Sequence, residues 1–398
     1  MYRSSASDSL LTAVKSTLRK RTSLFSNNSP TSGGGWRVVE DNFSHQQQQQ
    51  RHCSSAGAGI LGKNLKMGKN GSSHITRVLF CGPNFPAAHN YTREYVKDYS
   101  FIQVDDIPFV YIPAVIKDYD ICVVKNLGLN SDLISRAKRM KLIMQFGVGL
   151  EGVDITAATA HGIKVARIPS GATGNATSCA EMAIYLILGL LRKQHEMDIA
   201  IKQKKLGEPI GDTLLGKTVF IMGYGNIGIH LAKRLRPFDV RILATKRSWP
   251  SHMENNGGRD LVDEKGSHDD ILKFASKADI VVCCLSMNSE TARIVNNDFL
   301  SSMRKGAILI NIARGGLLDY DAVFNHLKCG HLGGLGIDVA WTEPFDPDDA
   351  ILNFRNVIIT PHVAGVTESS YRYMAKVVGD VALQLHAGTP LTGIEIVN

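Results

Sequence analysis

The stretch TVFIM-GYGNIG-IHLAKRL, residues 218–235, decides the fold. A short apolar run rich in β-formers reads as a strand, and Ile229, Leu231, Ala232 and Leu235 recur at helical spacing. Between them lie Gly223, Tyr224, Gly225, Asn226, Ile227 and Gly228. In a strand-to-helix turn the first glycine permits the tight turn, and the second lets the backbone approach a pyrophosphate. The third lets helix and strand pack closely. A GxGxxG with no such flanks is a weak signal; here the flanks carry the reading.

Working outward, the next strand, VRILA at 240–244, runs into Thr245, Lys246, Arg247 and Ser248. NAD-binding sheets usually place a carboxylate there for the ribose 2′-hydroxyl. None is present, and a guanidinium with hydroxyls suits a 2′-phosphate, so NADP is favoured over NAD. A solvated basic turn is the bland alternative. Further strands follow as DIVVCCL (279–285), AILINI (307–312) and NVIIT (356–360). Upstream, VLF (78–80), ICVV (121–124), LIMQ (142–145) and KVARI (164–168) form an earlier run, and a helix is predicted from about Ser178 to Gln194. Strands alternating with amphipathic stretches mean α/β units. Two runs predict two Rossmann/flavodoxin-like doubly wound parallel-sheet domains. Residues 248–270 are expected to be a loop or insertion.

Three segments close strands on the edge where doubly wound sheets bind ligands: Asn311 to Asp319 (NIARGGLLD), Gly336 to Val339 leading to Glu343-Pro344, and Thr360 to Gly365 (TPHVAG). Together with the glycine motif, in this order, they resemble the signatures of the D-isomer-specific 2-hydroxyacid dehydrogenases, a family that includes glyoxylate/hydroxypyruvate reductases and 3-phosphoglycerate dehydrogenases. The resemblance runs from about residue 75 to the C-terminus. It implies a nicotinamide-dependent oxidoreductase interconverting a small 2-oxo acid and its 2-hydroxy acid, with Arg314, Glu343 and His362 as the catalytic trio. Imidazole supplies a proton donor that titrates near neutrality. A carboxylate beside it orients the ring, and a guanidinium suits both the substrate carboxylate and the polarised carbonyl. Singly, the three could be an ion-pair arginine, a loop acid and a helix-start histidine.

The resemblance further implies that Val148 and Gly149, within GVGL (147–150), offer backbone N–H groups to the substrate carboxylate. It places Asp338 near the nicotinamide, makes Thr177 a cofactor contact, and puts Lys125, beside Asn126, where a residue faces the substrate. An exposed loop lysine is the alternative for Lys125. The resemblance also implies that residues 75–170 with 365–398 form the substrate domain and 171–364 the cofactor domain, with the active site in the cleft between them, and family members are usually homodimers. Glu343, where formate-dehydrogenase-like relatives carry Gln, disfavours that chemistry. Glyoxylate/hydroxypyruvate reduction ranks above phosphoglycerate oxidation. From another class, a nucleotide-sensing corepressor-like protein would keep the same trio.

The 398 residues carry a net charge of +8, yet residues 1–77 hold 11 Lys/Arg and 3 Asp/Glu, leaving 34 of each sign in the body. Basicity therefore gives no case for nucleic acid, and no nucleic-acid motif is found. Seven cysteines without a CxxC pair describe neither a disulfide framework nor a metal site. The longest apolar stretch, near Met182–Leu191, falls short of the roughly 20 residues a bilayer needs. Residues 1–74 are rich in Ser, Gly, Asn and Gln and read as a disordered leader. Arg3, Lys15, Arg19, Lys20 and Arg21 with Leu10, Leu11, Val14 and Leu18 give it transit-peptide composition. Arg51-His52-Cys53 resembles a processing site of plant mitochondrial leaders. Import into mitochondrion or chloroplast is the expectation, with the cytoplasm as alternative. Initiation at Met67 would create a myristoylation pattern, MGKNGS.

Overall fold

Runs of three to six mostly buried residues, many β-branched, build two sheets that are parallel but for one two-residue edge strand, a pattern that requires cover on both faces. The structure is a computed structural model and describes residues 74–82, 87–125, 128–150, 152–169, 171, 173–249 and 260–398. The leader, the MGKNGS pattern, Asn126 and residues 250–259 of the expected loop lie outside the described residues.

The first run contains β1 (Thr76–Cys81), α1 (Ala88–Val96), β2 (Ile102–Ile107), α2 (Ile112–Val115), β3 (Ile121–Val124), α3 (Ser131–Arg136), β4 (Leu142–Gln145), α4 (Ile155–Ala160) and β5 (Lys164–Arg167). Asn130 and Asp154 cap α3 and α4 by accepting the Leu133 and Ala157 N–H groups. Two helices follow, α5 (Asn175–Leu191) and α6 (Gln194–Lys202). The second run is β6 (Thr218–Met222), α7 (Asn226–Leu235), β7 (Arg241–Thr245), β8 (Glu264–Gly266), α8 (Ile271–Ala275), β9 (Ile280–Cys283), α9 (Asn297–Ser302), β10 (Ile308–Asn311), α10 (Tyr320–Lys328), β11 (Gly334–Ile337) and β12 (Val357–Ile359). The chain ends with α11 (Glu368–Ala387) and β13 (Glu395–Ile396).

The first sheet has the order β13-β5-β4-β3-β1-β2 and the second β12-β11-β10-β9-β6-β7-β8. These are the flavodoxin-like and dinucleotide-binding orders, each with an added edge strand, and each reverses direction once. The reversal lies between β1 and β3 in the first sheet and between β6 and β9 in the second. Ligands of such sheets bind outside the strand ends at that reversal.

Cover for the first sheet comes partly from the end of the chain. Tyr371, Met374, Val378 and Val381 of α11 share a core with Val78, Phe80, Ile102 and Val123. β13 pairs antiparallel with β5, and Arg167 meets Glu395 at 2.6 Å. The second sheet is covered on one face by α5 and α7, and on the other by a core around Phe220, Phe274, Phe299 and Leu335. No helix among the described residues is long and apolar enough to cross a membrane.

Two expectations are corrected, and one strand that none of them named is present. The helix predicted at Ser178–Gln194 begins at Asn175 and ends at Leu191, because Lys193 turns left-handed (φ 56°) before α6 starts. β2, IQVDDI, carries no continuous apolar run; as an edge strand it buries only one face. Part of the loop expected at 248–270 is structured: Glu264–Gly266 pairs with β7, and Ser267 caps a short turn at His268–Asp270.

Candidate active site

The reactive groups stand on loops leaving the C-terminal ends of the strands. After β6, Gly223 has φ +104°, and a Cβ there would lie 2.9 Å from the backbone of Cys284. A Cβ on Gly228 would lie 2.6 Å from the Gly223 carbonyl oxygen, whereas Gly225 has open space around it. The loop is thus pressed against β9 while its middle stays clear. α7 starts at Asn226 without a side-chain cap, so its first-turn N–H groups can meet a phosphate. The Tyr224 N–H donates to the Thr245 carbonyl (2.8 Å), tying the loop to the end of β7. The Tyr224 ring packs against Trp249 at 5.3 Å, a contact that no sequence pattern announces.

The other predicted cofactor residues separate into two groups. Arg247 and Ser248 are exposed and Lys246 is half-buried beside Trp249, so these three can reach a ligand. Thr245 is buried, and its predicted contact through the side chain is corrected accordingly: what it offers is its carbonyl, which Tyr224 uses. Thr177 Oγ1 lies 3.1 Å from Nδ1 of His230, on the second turn of α7.

Asp338, at the end of β11, is 1% exposed. It accepts the Thr360 hydroxyl (2.6 Å) and the N–H groups of Val363 (2.9 Å) and Ala364 (2.8 Å). Burial leaves its carboxyl above the ordinary carboxylate value, although these donors pull it back. The three donors bracket His362, whose φ of +57° is uncommon for a non-glycine residue, although His, like Asn and Asp, adopts it more readily than most. Asp338 therefore fixes the turn that presents the histidine.

His362 Nδ1 lies 2.8 Å from Glu343 Oε2, and Glu343 Oε1 accepts the Ala340 N–H at 3.1 Å. Burial pushes the Glu343 carboxyl up, but His362, the Ala340 N–H and Arg314 outweigh it and hold it below the usual carboxylate value. An ionised Glu343 makes Nδ1 the donor and leaves Nε2 as the ring nitrogen for a substrate. Arg314 leaves β10 in extended backbone. Its carbonyl accepts from Asn311 Nδ2 (2.8 Å), and its Nη1 donates to the Ala313 carbonyl (2.7 Å). A Cβ at Gly315 would fall 1.8 Å from the Ala340 carbonyl oxygen, so that glycine alone lets the Arg314 loop abut the loop holding Glu343.

On the first sheet, Gly147 turns at φ +133° after β4, and Val148 is 42% exposed on a loop that also holds Gly149. Lys125 follows β3, at the reversal of that sheet. It is not an exposed loop lysine: Nζ donates to the Tyr371 hydroxyl at 2.7 Å, and burial holds its ammonium below the ordinary lysine value against the pull of Asp338 and Glu343. The Lys125 ammonium of the first sheet thus lies within electrostatic reach of Asp338 and Glu343 of the second.

The glycine-rich strand-to-helix loop and the carboxylate-paired histidine thus both stand at strand ends of the second sheet. Residues 184–364 match the family described as D-isomer specific 2-hydroxyacid dehydrogenase, NAD binding domain. The chain is 32% identical to glyoxylate reductase of Thermofilum pendens over 268 residues, 65% of this chain and 76% of that protein. It is 31% identical to hydroxypyruvate reductase of Thermotoga maritima over 265 residues, 65% and 82% of the two chains. Against D-3-phosphoglycerate dehydrogenase of Archaeoglobus fulgidus it is 30% identical over 276 residues, 69% of this chain but about half (50%) of that protein's length. Among solved structures, TT0316 protein from Thermus thermophilus superposes with a TM-score of 0.68 at 26% identity, covering 81% of this chain and 100% of that one. The chain belongs to the D-isomer-specific 2-hydroxyacid dehydrogenase family.

Replacing Gly223 by alanine is expected to weaken NADPH binding at least 10-fold, because a left-handed residue without glycine's freedom must also displace the Cys284 backbone. Titration of intrinsic fluorescence with NADPH checks this; unchanged affinity would mean the loop does not hold the cofactor.

Proposed function

We propose that this chain is an NAD(P)H-dependent reductase of small 2-oxo acids, of the glyoxylate/hydroxypyruvate type. The observation that carries the reading is the 2.8 Å pair of His362 and Glu343 in a cleft with Arg314. The residues present fit a dinucleotide: an open glycine loop, an uncapped helix start and basic groups at the end of β7. A nicotinamide bound along that loop supplies the hydride. In this reading the sheet β6–β12 with its helices, within residues 171–364, carries the cofactor, and residues 75–170 with 365–398 carry the substrate.

Arg314 and the N–H groups of the loop at Val148 and Gly149 bind the substrate carboxylate. Arg314 also polarises the 2-oxo group, where negative charge grows in the transition state. His362 delivers a proton from Nε2 to that oxygen, and Glu343, accepting from Nδ1, holds the ring in place. Asp338 keeps the histidine turn in place. The reverse direction uses the same groups, with His362 as base.

His362→Gln is expected to lower kcat at least 100-fold on hydroxypyruvate and glyoxylate while changing the NADPH Kd less than 3-fold. The assay is loss of 340 nm absorbance with NADPH and NADH in parallel. Absence of turnover by the wild-type chain on every 2-oxo acid, with cofactor still bound, would turn the reading to a nucleotide-sensing protein.

The NADP preference rests on Arg247 and Ser248, exposed just after β7 in a segment, residues 244–248, whose sequence contains no carboxylate. Arg247→Ala is expected to weaken NADPH at least 5-fold more than NADH in the same titration; equal effects would sink the 2′-phosphate assignment.

A homodimer fits an apolar arm leaving α6. Ile201, Leu206, Ile210 and Leu215 are 75%, 102%, 86% and 66% exposed on one stretch of chain, which a lone subunit leaves in water. Light scattering on the eluting protein is expected to give twice the mass of the chain, and Leu206→Asp with Ile210→Asp to give the single mass. A monomeric wild type would refute it.

A further inference from the structure

The loop after β11, which carries Glu343, is tied to the loop that carries Arg314 by a side chain the hydride and proton steps do not use. Thr342, Glu343 and Pro344 are exposed, while Trp341 and Phe345 on either side of them pack against the core around Phe299 and Leu335. Of these two anchors only the indole has a donor. Its Nε1 donates to the Leu318 carbonyl at 2.9 Å, just past the Arg314 turn. Leu317 accepts the Val295 N–H and Asp319 donates to the Val295 carbonyl, both at 3.0 Å, so the acceptor sits in a segment fixed on both sides. A Cβ at Gly315 would also lie 2.7 Å from the Trp341 backbone nitrogen, which places the two backbones in contact where the indole begins.

The ring has a seat of its own. Trp341 meets Tyr320 edge to face, with ring centres 5.0 Å apart and 84° between the planes. Tyr320 stacks on Phe324 at 6.1 Å, and its hydroxyl donates to Asp349 at 2.6 Å. Asp349 also accepts the Ile351 N–H at 2.9 Å, so the seat is pinned by α10 and by the segment before β12. Glu343 has no comparable hold on Arg314. Its bond to the Ala340 N–H lies within its own loop, which shapes the loop without placing it. Arg314 is set separately, by the bonds to Asn311 and Ala313. The distance between the two loops is therefore left to the Gly315 contact and the indole bond, and groups in a proton path must be held to within about 0.5 Å to work at full rate.

We propose that Trp341 is a positioning residue of the reaction: its indole N–H, bonded to the Leu318 carbonyl, sets the Glu343 loop against the Arg314 loop and so fixes the carboxylate that holds His362. This rests on the reductase reading above. One side chain then does two separable things: the N–H places the loop, and the ring stabilises the fold.

Two substitutions in the full chain divide the side chain. Trp341→Phe keeps an aromatic ring against Tyr320 and removes the donor. Trp341→His keeps a five-membered ring whose Nε2 takes the place of the indole Nε1, and removes most of the packing. At about pH 8, where an ordinary imidazole is neutral, Trp341→His is expected to melt at a lower temperature than Trp341→Phe and yet keep kcat on hydroxypyruvate within 3-fold of wild type. Trp341→Phe is expected to lose at least 10-fold in kcat, with KM and the NADPH Kd within 3-fold. In a Glu343→Gln background Trp341→Phe is expected to lower kcat less than 2-fold further, because both act through one carboxylate. In crystals of the cofactor-bound chain, Trp341→Phe is expected to lose the 2.8 Å contact of His362 with Glu343 and Trp341→His to keep it. The inference is overturned by kcat that follows melting temperature across the two variants, by losses that multiply in the double variant, or by a His362–Glu343 contact retained in Trp341→Phe. A wild type that turns over no 2-oxo acid would overturn the reductase reading, and the crystal structures would still decide the role of Trp341.

Discussion

Asp338 collects two backbone N–H groups and a hydroxyl onto a carboxylate that is almost wholly out of water. Each donor comes from the segment Thr360–Ala364, so the bonds act on one turn and fix its path at both sides of His362. A histidine with positive φ persists only where its surroundings over-determine the backbone. The pair with Glu343 depends on that ring position, and Glu343 depends in turn on the Ala340 N–H and on the approach that Gly315 permits. The chemistry is thus held by buried polar bonds between neighbouring strand ends, where burial strengthens each bond and penalises any left unmade.

Sequence reading reached the frame because parallel strands buried on both faces leave continuous apolar runs. ICVV, between Asp120 and Lys125, and LIMQ, between Lys141 and Phe146, coincide with β3 and β4 to the residue. β2 escaped because Gln103, Asp105 and Asp106 serve an edge, where one face meets water. Glu264–Gly266 escaped for the same reason, in three residues with no apolar side chain among them.

Within the site, legibility followed the chain. Arg314, Glu343, His362 and the glycine motif lie in short segments whose local chemistry is unusual, and residue types with spacing sufficed to single them out. Tyr371 could not be found that way: on α11 it stands in an amphipathic pattern and reads as core, and only the fold brings it to Lys125, far away in sequence. The contact of Trp249 with Tyr224 is equally silent. Thr245 shows the converse error, since a hydroxyl residue at a strand end looks available until the neighbouring loop covers it.

The placement of α11 bears on how the chain acquires its structure as it leaves the ribosome. The core around Phe220, Phe274 and Leu335 is made from one continuous stretch of sequence and can close as soon as that stretch has emerged. The core around Val78, Phe80 and Val123 cannot, because Tyr371, Met374, Val378 and Val381 belong to it and follow the whole second run in sequence. The first-synthesised sheet is thus the later one to be completed, and its contacts, spanning nearly 300 residues, are of the kind that slow folding. Throughout that interval the apolar face of β1–β4 waits uncovered, so the segment that places Tyr371 beside Lys125 also decides when this half of the molecule becomes safe from aggregation.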